Sequence, residues 1–395
     1  MKTFALILAA LPLVVVSYAF AGYPLLLALL ARARRRALVT PESAELPKVS
    51  ISLPVYNEEA QIREVLNSLL AIDYPRELLQ IVVVSDASSD ATDDIVREYA
   101  WRGLELLRLP GRSGKTAAEN AAAAILRGEI VVNTDASIRI RPDAVRKLVA
   151  RFADPTVGVA SGRDISVSGL AEDANLSEAG YVNYEMRVRK LETEVGGIIG
   201  ASGCFYAVRV HLHRQPLPEH LSRDFASALI AQEHGYRAVS VDDALCLVPR
   251  THSLHREFRR KVRTMSRGME TLGYKRHLLN PFRYGTFAWM LFSHKVCRWG
   301  TPVAGVIGLI GLAALSVHAL WARVVLAAVV LCGALALIGW YWPEERAPRP
   351  LALLAGAISA HVATLWSIVR ALRGDRNAAW EPTRRELKVS EPESA

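Results

Sequence analysis

Apolar residues dominate both ends of the chain, whereas the middle alternates between apolar and polar segments. Residues 4–31 and the segment from about 300 to 372 are almost free of charge. A helix needs about 20 apolar residues to cross a bilayer, and the first segment supplies them. Its length, and the arginines that follow it at once, favour an anchor over a cleaved signal peptide. The pattern predicts an N-terminal transmembrane anchor with a basic stop over residues 1–36, and two or three C-terminal spans over residues 301–372.

Between these ends, short apolar runs alternate with segments of helical period. Strands are predicted at 49–55, 78–86, 104–110, 129–135, 157–167 and 237–248, and a glycine-rich turn followed by a strand is predicted at 196–210. Helices are predicted at 62–70, 92–101, 115–126, 142–152, 177–195, 222–235 and 255–272, with Thr92 and Ser222 as caps. Strands that alternate with helices of this length predict an α/β domain with a mostly parallel sheet, placed at residues 45–275.

The formal charge of +9 is concentrated beside the apolar segments. Four arginines directly follow residue 31, and an excess of arginine and lysine beside a span stays on the cytoplasmic side. The chain is therefore predicted to be a multi-pass protein of the inner (plasma) membrane with its middle domain in the cytoplasm. Mixed aromatic and basic residues predict amphipathic interface helices at 276–300, and 373–395 is a polar basic tail. Three C-terminal spans would put the arginines after residue 369 outside, against the same rule, and the sequence leaves this conflict open.

The sequence supports neither nucleic-acid binding nor a zinc site. The basic residues lie where anionic lipid headgroups would meet them, and no nucleic-acid motif occurs. The four cysteines are scattered without a CxxC pair, which fits a reducing compartment and no zinc site. Membrane lipids are therefore the expected partner, and nucleic acid is not.

Acidic residues mark the ends of several predicted elements. Asp86 ends the second strand, Asp135 ends the fourth, and Asp224 lies in the first turn of a later helix. Ligands of parallel sheets bind beyond the carboxyl ends of the strands, so Asp86 is predicted to belong to a nucleotide site. With the turn Pro54-Val55-Tyr56-Asn57-Glu58, this ordered set resembles the family 2 inverting glycosyltransferases. More narrowly, it resembles their membrane-bound polysaccharide synthases, related to cellulose and hyaluronan synthases, over residues 49 to about 300.

The resemblance implies a GT-A-like nucleotide-diphospho-sugar transferase domain flanked by transmembrane helices, with a UDP-sugar donor and Mg²⁺ or Mn²⁺. It implies donor contacts from these residues: Pro54, Tyr56 and Glu58 around the uracil, Asp86 on the base and ribose, and Lys115 on the diphosphate. Asp135 would hold the metal, although Ser137 replaces the second acid of the family's Asp-x-Asp. Hard cations take carboxylate and phosphate oxygens together, which suits that assignment.

The resemblance also implies the residues that act on the acceptor. Asp224 would be the general base that takes the acceptor's proton, although Arg223 replaces the acid that usually precedes it. Ser202 and Gly203 belong to a glycine-rich turn that would let the acceptor sugar approach the backbone.

A basic segment falls where processive synthases carry Gln-x-x-Arg-Trp. Arg260 and Arg263 would contact the donor diphosphate, while Thr264 replaces the tryptophan. The segment Gly111 to Thr116 also imitates the end of a P-loop, but Leu109 stands where its first glycine belongs, which argues against an ATPase.

The spacing alone predicts a metal-dependent nucleotide site on a parallel sheet, and the resemblance implies a family 2 hexosyltransferase. It would transfer a sugar from a UDP-sugar, with inversion, to a growing membrane-associated glycan of an exopolysaccharide, capsule or cell envelope. The acceptor would be a glycan or a lipid-linked glycan, and accessory subunits are compatible with this prediction. One alternative is a non-processive transferase that adds a single sugar to a lipid carrier, and another is a non-enzymatic membrane assembly or binding protein that keeps the fold.

Overall fold

A mixed β-sheet forms the centre of the structure, which is a computed structural model. It describes residues 2–34, 45–167, 176–249, 253–343 and 346–375, with the side chains of these ranges other than 34, 166–182 and 249. The strands within these ranges are β1 Val49–Val55, β2 Leu79–Ser85, β3 Leu104–Arg108, β4 Ile130–Thr134, β5 Arg139–Ile140, β6 Val157–Val167, β7 Phe205–Arg209 and β8 Arg237–Pro249.

Helices precede, cover and follow this sheet. The first group is α1 Lys2–Ser17, α2 Tyr23–Arg34, α3 Ile62–Leu70, α4 Thr92–Glu98, α5 Lys115–Ala122, α6 Ala144–Val149, α7 Leu176–Val195, α8 Val210–His213 and α9 Arg223–Glu233. The second group is α10 Leu254–Tyr274, α11 Pro281–Leu291, α12 Arg298–Ser316, α13 Leu320–Tyr341 and α14 Arg349–Arg373. Short π-helical segments, Tyr18–Gly22 and Phe292–Cys297, join α1 to α2 and α11 to α12.

The strand order is β3-β2-β1-β4-β7-β6-β8-β5. The first four strands in this order are parallel to one another, whereas β7 runs antiparallel to both of its neighbours, β4 and β6. The carboxyl end of β4 therefore lies beside the start of β7, and Thr134 is paired with Phe205. This pairing places the segment before β7 next to Asp135.

Apolar residues explain why these strands are central. All seven residues of β1 are buried, as expected for a parallel strand covered on both faces. One core packs between the sheet and α3, α4 and α6, and a second packs between the sheet and α5, α8 and α9. A third core joins α7 and α9 to α2, α11 and the residues up to Trp299. The α/β domain is thus packed directly against the apolar helices.

Four helices of the described ranges are long and apolar enough to cross a membrane. They are Lys2–Ala33, Pro281–Ser316, Leu320–Tyr341 and Arg349–Arg373. Close contacts at small residues hold them together: a Cβ at Gly311 of α12 would lie 2.6 Å from the backbone nitrogen of Ala9 in α1. The Ser367 hydroxyl of α14 donates to the Val262 carbonyl of α10, at 3.1 Å. These helices suggest membrane association.

The predicted fold is confirmed as an α/β domain with a mostly parallel sheet between long apolar helices. One detail was wrong: Thr92 is the first residue of α4 rather than its cap, and its hydroxyl accepts the Glu58 N–H at 2.8 Å. The boundary predicted near residue 300 stays a prediction, and the candidate span Pro281–Ser316 includes that position.

Candidate active site

Asp86 organises a loop rather than standing free at the end of its strand. Its N–H continues the sheet by donating to the Val55 carbonyl, at 2.9 Å. Its carboxylate accepts the Ser113 N–H at 2.7 Å and the Gly114 N–H at 2.8 Å, and only 1% of the residue is exposed. Gly114 has φ +97°, a conformation that favours glycine. Asp86 thereby fixes the loop that leads into α5, and its contact with a nucleoside stays a prediction.

The turn after β1 is held against the segment that follows β2. Asn57 has φ +53°, and its side-chain oxygen accepts the Ser89 N–H at 2.8 Å. The ring of Tyr56 carries the guanidinium of Arg112 at 4.0 Å from its centroid. Arg112 belongs to the loop that Asp86 holds, so the two segments meet at this aromatic ring. Glu58 lies in this turn and is buried, whereas Pro54, predicted to belong to the turn, lies within strand β1 and is paired with Val84.

Lys115 connects the donor side of the site to the turn before β7. Its ammonium lies 2.5 Å from Asp135 Oδ1 and 3.0 Å from the Gly203 carbonyl oxygen. Burial opposes the charged form of Lys115, but the nearby carboxylates of Asp135, Glu119 and Asp224 outweigh it and raise the pKa of Lys115. The ammonium of Lys115 is thus held in its charged form, and its contact with a diphosphate stays a prediction.

Asp135 can contribute to a divalent metal site only together with other ligands. The described residues bring together no group of three or more His, Cys, Asp and Glu side chains suited to a metal. Asp135 is nevertheless partly exposed, with 21% of its side chain accessible, and only one of its oxygens faces Lys115. Mg²⁺ commonly uses one or two carboxylates and completes its shell with substrate phosphates and water. The residues present fit such a shared site, with Ser137 two residues further along the chain.

Asp224 and Lys115 lie on opposite sides of the turn before β7, which contains Gly203. Asp224 occupies the first turn of α9, and its Oδ1 accepts a hydrogen bond from the hydroxyl of Ser222, the N-cap residue. Its Oδ2 faces Gly203, where an added Cβ would lie only 3.0 Å away. Gly203 therefore contacts Lys115 through its carbonyl and leaves room for Asp224 on its other side.

Ser202, predicted to contact the acceptor, is engaged within the protein. Its hydroxyl lies 2.8 and 3.0 Å from the two carboxylate oxygens of Asp164, and its N–H donates to Ser161 Oγ at 2.8 Å. Only 6% of the residue is exposed. These contacts hold the glycine-rich turn in place, and an acceptor contact by Ser202 or Gly203 stays a prediction.

Sequence reasoning missed a buried ion pair behind the site. Arg223 Nε lies 3.8 Å from Glu119 Oε2, and the exposed fractions of the two side chains are 2% and 1%. Arg223 also donates to the His213 carbonyl at 2.9 Å and to the Asn120 side chain. Burial raises the pKa of Glu119, against the attraction of Lys115 and Arg223. Glu119 lies four residues after Lys115 on α5, and that helical spacing was the signal available in the sequence.

Arg267 was missed as well. Its guanidinium donates to Thr116 Oγ1 at 2.9 Å and to the carbonyls of Leu221 and Glu219 at 2.6 and 3.1 Å. Burial lowers the pKa of Arg267, and the charge of Asp224 opposes this shift. This arginine ties the basic helix α10 to the start of α5 and to the segment before α9.

The two arginines that were predicted to contact the donor lie earlier on α10. Arg260 pairs with Glu257 one turn away, through Nε at 2.8 Å and Nη2 at 2.7 Å. Arg263 is half-buried, one turn before Arg267. Their contact with a diphosphate stays a prediction.

Comparison with known sequences explains this arrangement. The sequence model described as Glycosyl transferase family 2 matches residues 50–214, which include the strand-end acids, Lys115 and the Gly203 turn. This part of the chain is a family 2 glycosyltransferase domain. The glycosyltransferase domain thus contains most of the site, whereas Asp224, Arg223 and Arg267 follow the matched region.

Curated relatives share the domain but not the whole chain. The chain is 37% identical over 110 residues to the probable glycosyltransferase YdaM of Bacillus subtilis, which covers 27% of this chain and 26% of that protein. It is 27% identical over 170 residues to the beta-monoglucosyldiacylglycerol synthase of Trichormus variabilis, covering 42% of this chain and 36% of the relative. The chain therefore spans about a third or less of the length of these two relatives.

A solved structure matches nearly the whole chain. It is the mannosyltransferase PcManGT of Pyrobaculum calidifontis in complex with GDP-Man and Mn²⁺, with a TM-score of 0.71 and 25% identity. The match covers 93% of this chain and 100% of that chain, so it includes apolar helices beyond the glycosyltransferase domain.

Proposed function

We propose that this protein is a membrane glycosyltransferase that transfers a sugar from a nucleotide-diphosphate sugar, with inversion, to a membrane-borne acceptor. One observation carries the proposal: the Gly203 turn has the Lys115–Asp135 pair on one side and Asp224 on the other. A cation for phosphate and a carboxylate for an acceptor hydroxyl thus both lie beside Gly203. Such positioning is what a group transfer requires.

The donor would lie along the carboxyl ends of β1, β2 and β4. Pro54, Tyr56 and Glu58 would surround the nucleobase, and Asp86 would fix the nearby loop and contact the nucleoside. Lys115 would neutralise the diphosphate. Uracil is the proposed base, and the GDP-Man complex of the structural relative makes guanine the competing candidate.

Asp135 would hold a Mg²⁺ or Mn²⁺ ion together with the diphosphate, and the structural relative was solved with Mn²⁺. The ion would supply positive charge to the leaving diphosphate. Arg260 and Arg263 are proposed to approach the same diphosphate from α10.

In the transfer step, an acceptor hydroxyl oxygen would attack the anomeric carbon from the face opposite the diphosphate. The new bond joins that oxygen to the anomeric carbon, while the bond to the diphosphate oxygen breaks and its electron pair leaves with the nucleoside diphosphate. Asp224 would receive the hydroxyl proton, with the Ser222 hydroxyl orienting its carboxylate.

Two acceptors are compatible with this site. The resemblance to polysaccharide synthases favours a growing glycan of the cell envelope. Thr264, in place of the tryptophan of processive synthases, and the relative that makes a glucosyldiacylglycerol favour a single addition to a lipid. Product length, measured by mass spectrometry of the lipid fraction, distinguishes polymer from single addition.

The proposed arrangement has the catalytic domain, residues 45–275, on the cytoplasmic face of the inner membrane. Residues 1–36 would anchor it, 276–300 would lie at the interface, and 301–372 would cross the bilayer. The candidate span Pro281–Ser316, which is kinked at Gly285, begins in the proposed interface segment and continues past residue 300. This supports placing the interface segment directly beside a span.

The decisive experiment uses the full chain in lipid nanodiscs. Nucleoside diphosphate release is measured across UDP- and GDP-sugars, with Mg²⁺, Mn²⁺ or EDTA and with membrane lipid extract as acceptor. Asp224→Asn should lower turnover by about 10²–10⁴-fold while nucleotide binding stays near that of the wild type. Asp143→Asn, an exposed carboxylate paired with Lys147, is the matched control. Near-normal turnover of Asp224→Asn would refute the base assignment, and no release from any donor by a folded protein would favour the non-enzymatic alternative.

A further inference from the structure

Several buried polar atoms beneath the candidate site have no hydrogen-bond partner among the described residues. They include the hydroxyls of Ser52 and Tyr206 and both amide atoms of Asn133, and each of these residues is at most 1% exposed. They also include both carboxylate oxygens of Glu119 and Nε of Arg223. Buried polar groups are nearly always hydrogen-bonded, to protein or to ordered water, because an unpaired group keeps its full desolvation cost.

These polar groups share one face of the sheet and the helix that covers it. Ser52 of β1 is paired with Asn133 of β4, and Asn133 is paired with Tyr206 of β7. Paired residues of adjacent strands project to the same face of a sheet. Tyr206 packs in the core that contains Ala118 of α5, the residue before Glu119. The polar row of the sheet therefore lies under the helix that carries Glu119.

The charge of Glu119 acts on the Tyr206 hydroxyl. Burial raises the pKa of Tyr206, and the carboxylate of Glu119 raises it further. The phenol therefore keeps its proton and can donate it. Arg223 Nε and Glu119 Oε2 are 3.8 Å apart, which is beyond hydrogen-bond distance. A separation of this length leaves both atoms able to bond to a shared water molecule.

Each of four polar groups is close in the sequence to a residue of the candidate site. The pairs are Asn133 and Asp135, Tyr206 and Gly203, Glu119 and Lys115, and Arg223 and Asp224. The polar groups thus belong to β4, β7, α5 and α9, the elements that position the site. A ligand that bonds to these groups would connect the four elements directly.

From these contacts we propose that ordered water molecules occupy a buried site between Tyr206, Asn133 and Glu119 and hold the elements of the candidate site together from behind. Water both donates and accepts, so it suits a hydroxyl, an amide and a carboxylate at once. Buried waters commonly make about three hydrogen bonds to polar groups that lack protein partners. A cation is disfavoured there, because the charges of Lys115 and Arg223 already act on Glu119.

Thermal unfolding of the full chain in nanodiscs distinguishes a hydrated site from a dry one by the sign of the change. Tyr206→Phe removes the hydroxyl and keeps the ring. In a hydrated site this breaks a hydrogen-bonded network, and Tm should fall by about 2–6 °C. In a dry site it removes an unsatisfied polar group, so Tm would stay the same or rise.

Two other tyrosines serve as matched controls. Tyr74→Phe removes a buried hydroxyl that donates to the Pro47 carbonyl at 2.6 Å, so Tm should fall by a similar amount. Tyr274→Phe alters a residue that is 54% exposed, and Tm should stay that of the wild type.

A wild-type structure at a resolution that shows ordered water is the second test, and it needs no variant. Water density is expected within hydrogen-bond distance of the Tyr206 hydroxyl, the Asn133 amide and the Glu119 carboxylate. An empty site, direct hydrogen bonds among these side chains, or a Tyr206→Phe variant as stable as the wild type would overturn the proposal.

Nucleotide binding tests whether the water site positions the elements above it, and this part rests on the proposed function. Calorimetry with UDP and GDP is performed at a temperature where every variant is folded. Tyr206→Phe should raise the Kd of the better ligand about threefold or more, whereas Tyr274→Phe should keep it. An unchanged Kd in Tyr206→Phe would overturn the positioning role. Failure of the proposed function is distinguishable, because then the wild type would bind neither nucleotide, while the comparison of Tm values would remain valid.

Discussion

The buried pair of Arg223 and Glu119 allows a quantitative test of the site's electrostatics. Arg223→Met keeps most of the side-chain volume but leaves the Glu119 carboxylate buried without its guanidinium. Breaking a buried ion pair by removing one partner costs about 3–5 kcal/mol. For a domain of 150–250 residues, each kcal/mol shifts Tm by about 2–4 °C, so the expected loss is roughly 6–20 °C. Adding Glu119→Gln to Arg223→Met should recover the larger part of the lost thermal stability.

The pH dependence of this loss has a definite sign. Burial raises the folded-state pKa of Glu119, so the stability linked to its protonated form is present at low pH and is lost as the pH rises through that pKa. Removing Arg223 takes away an attraction that opposes the shift, and the folded pKa rises further. Arg223→Met should therefore be destabilised more at pH 8 than at pH 5.

The assay is thermal unfolding of the full chain in nanodiscs at both pH values, for the wild type, both single variants and the double variant. The coupling energy of this double-mutant cycle measures the pair directly. Equal loss of stability by Arg223→Met at pH 5 and pH 8, or no recovery on adding Glu119→Gln, would show that Arg223 does not stabilise a charged Glu119. Lys147→Met, which breaks an exposed pair, should shift Tm by at most about 4 °C, since exposed pairs contribute about 0–1 kcal/mol.

Two further substitutions test the donor loop and the acceptor turn. Asp86→Ala removes the carboxylate that holds two loop amides, so the Kd for nucleotide, measured by calorimetry, should rise by about tenfold or more. An unchanged Kd would exclude a role of Asp86 in nucleotide binding. Asp94→Ala, at an exposed carboxylate, is the control. Gly203→Ala places a Cβ 3.0 Å from Asp224 Oδ2 and should lower kcat by up to about 10²-fold with donor affinity retained. Gly273→Ala, where an added Cβ has no neighbour within 4 Å, should keep kcat, and equal kcat values for the two variants would contradict the geometric argument.

The strands and apolar helices could be predicted from the sequence because their signals are local. A run such as residues 49–55 is apolar over its full length, and burial on both faces of a parallel sheet requires that. The four candidate membrane helices follow equally from length and composition. The prediction from local sequence that Thr92 caps α4 was wrong. The Thr92 hydroxyl accepts the N–H of Glu58, in the turn after β1, instead of capping its own helix.

The candidate site was predictable as a set of residues but not as a set of contacts. Strand ends in a parallel sheet share one edge, so Asp86 and Asp135 could be placed on the same side of the domain. The sequence did not show that both oxygens of Asp86 are used by loop amides, or that the Ser202 hydroxyl is bound to Asp164. These contacts depend on where loops fold back, which no spacing encodes.

The sequence by itself determined an α/β domain between apolar helices and the acids at its strand ends, because period, polarity and strand-end position are properties of neighbouring residues. Tertiary structure alone decided the partners of the charges. The antiparallel β7 brings Gly203 between Lys115 and Asp224. Packing α5 against α9 pairs Glu119 with Arg223. Charge pairing acts over a few ångströms, so it is set by which elements pack together, however far apart they lie along the chain.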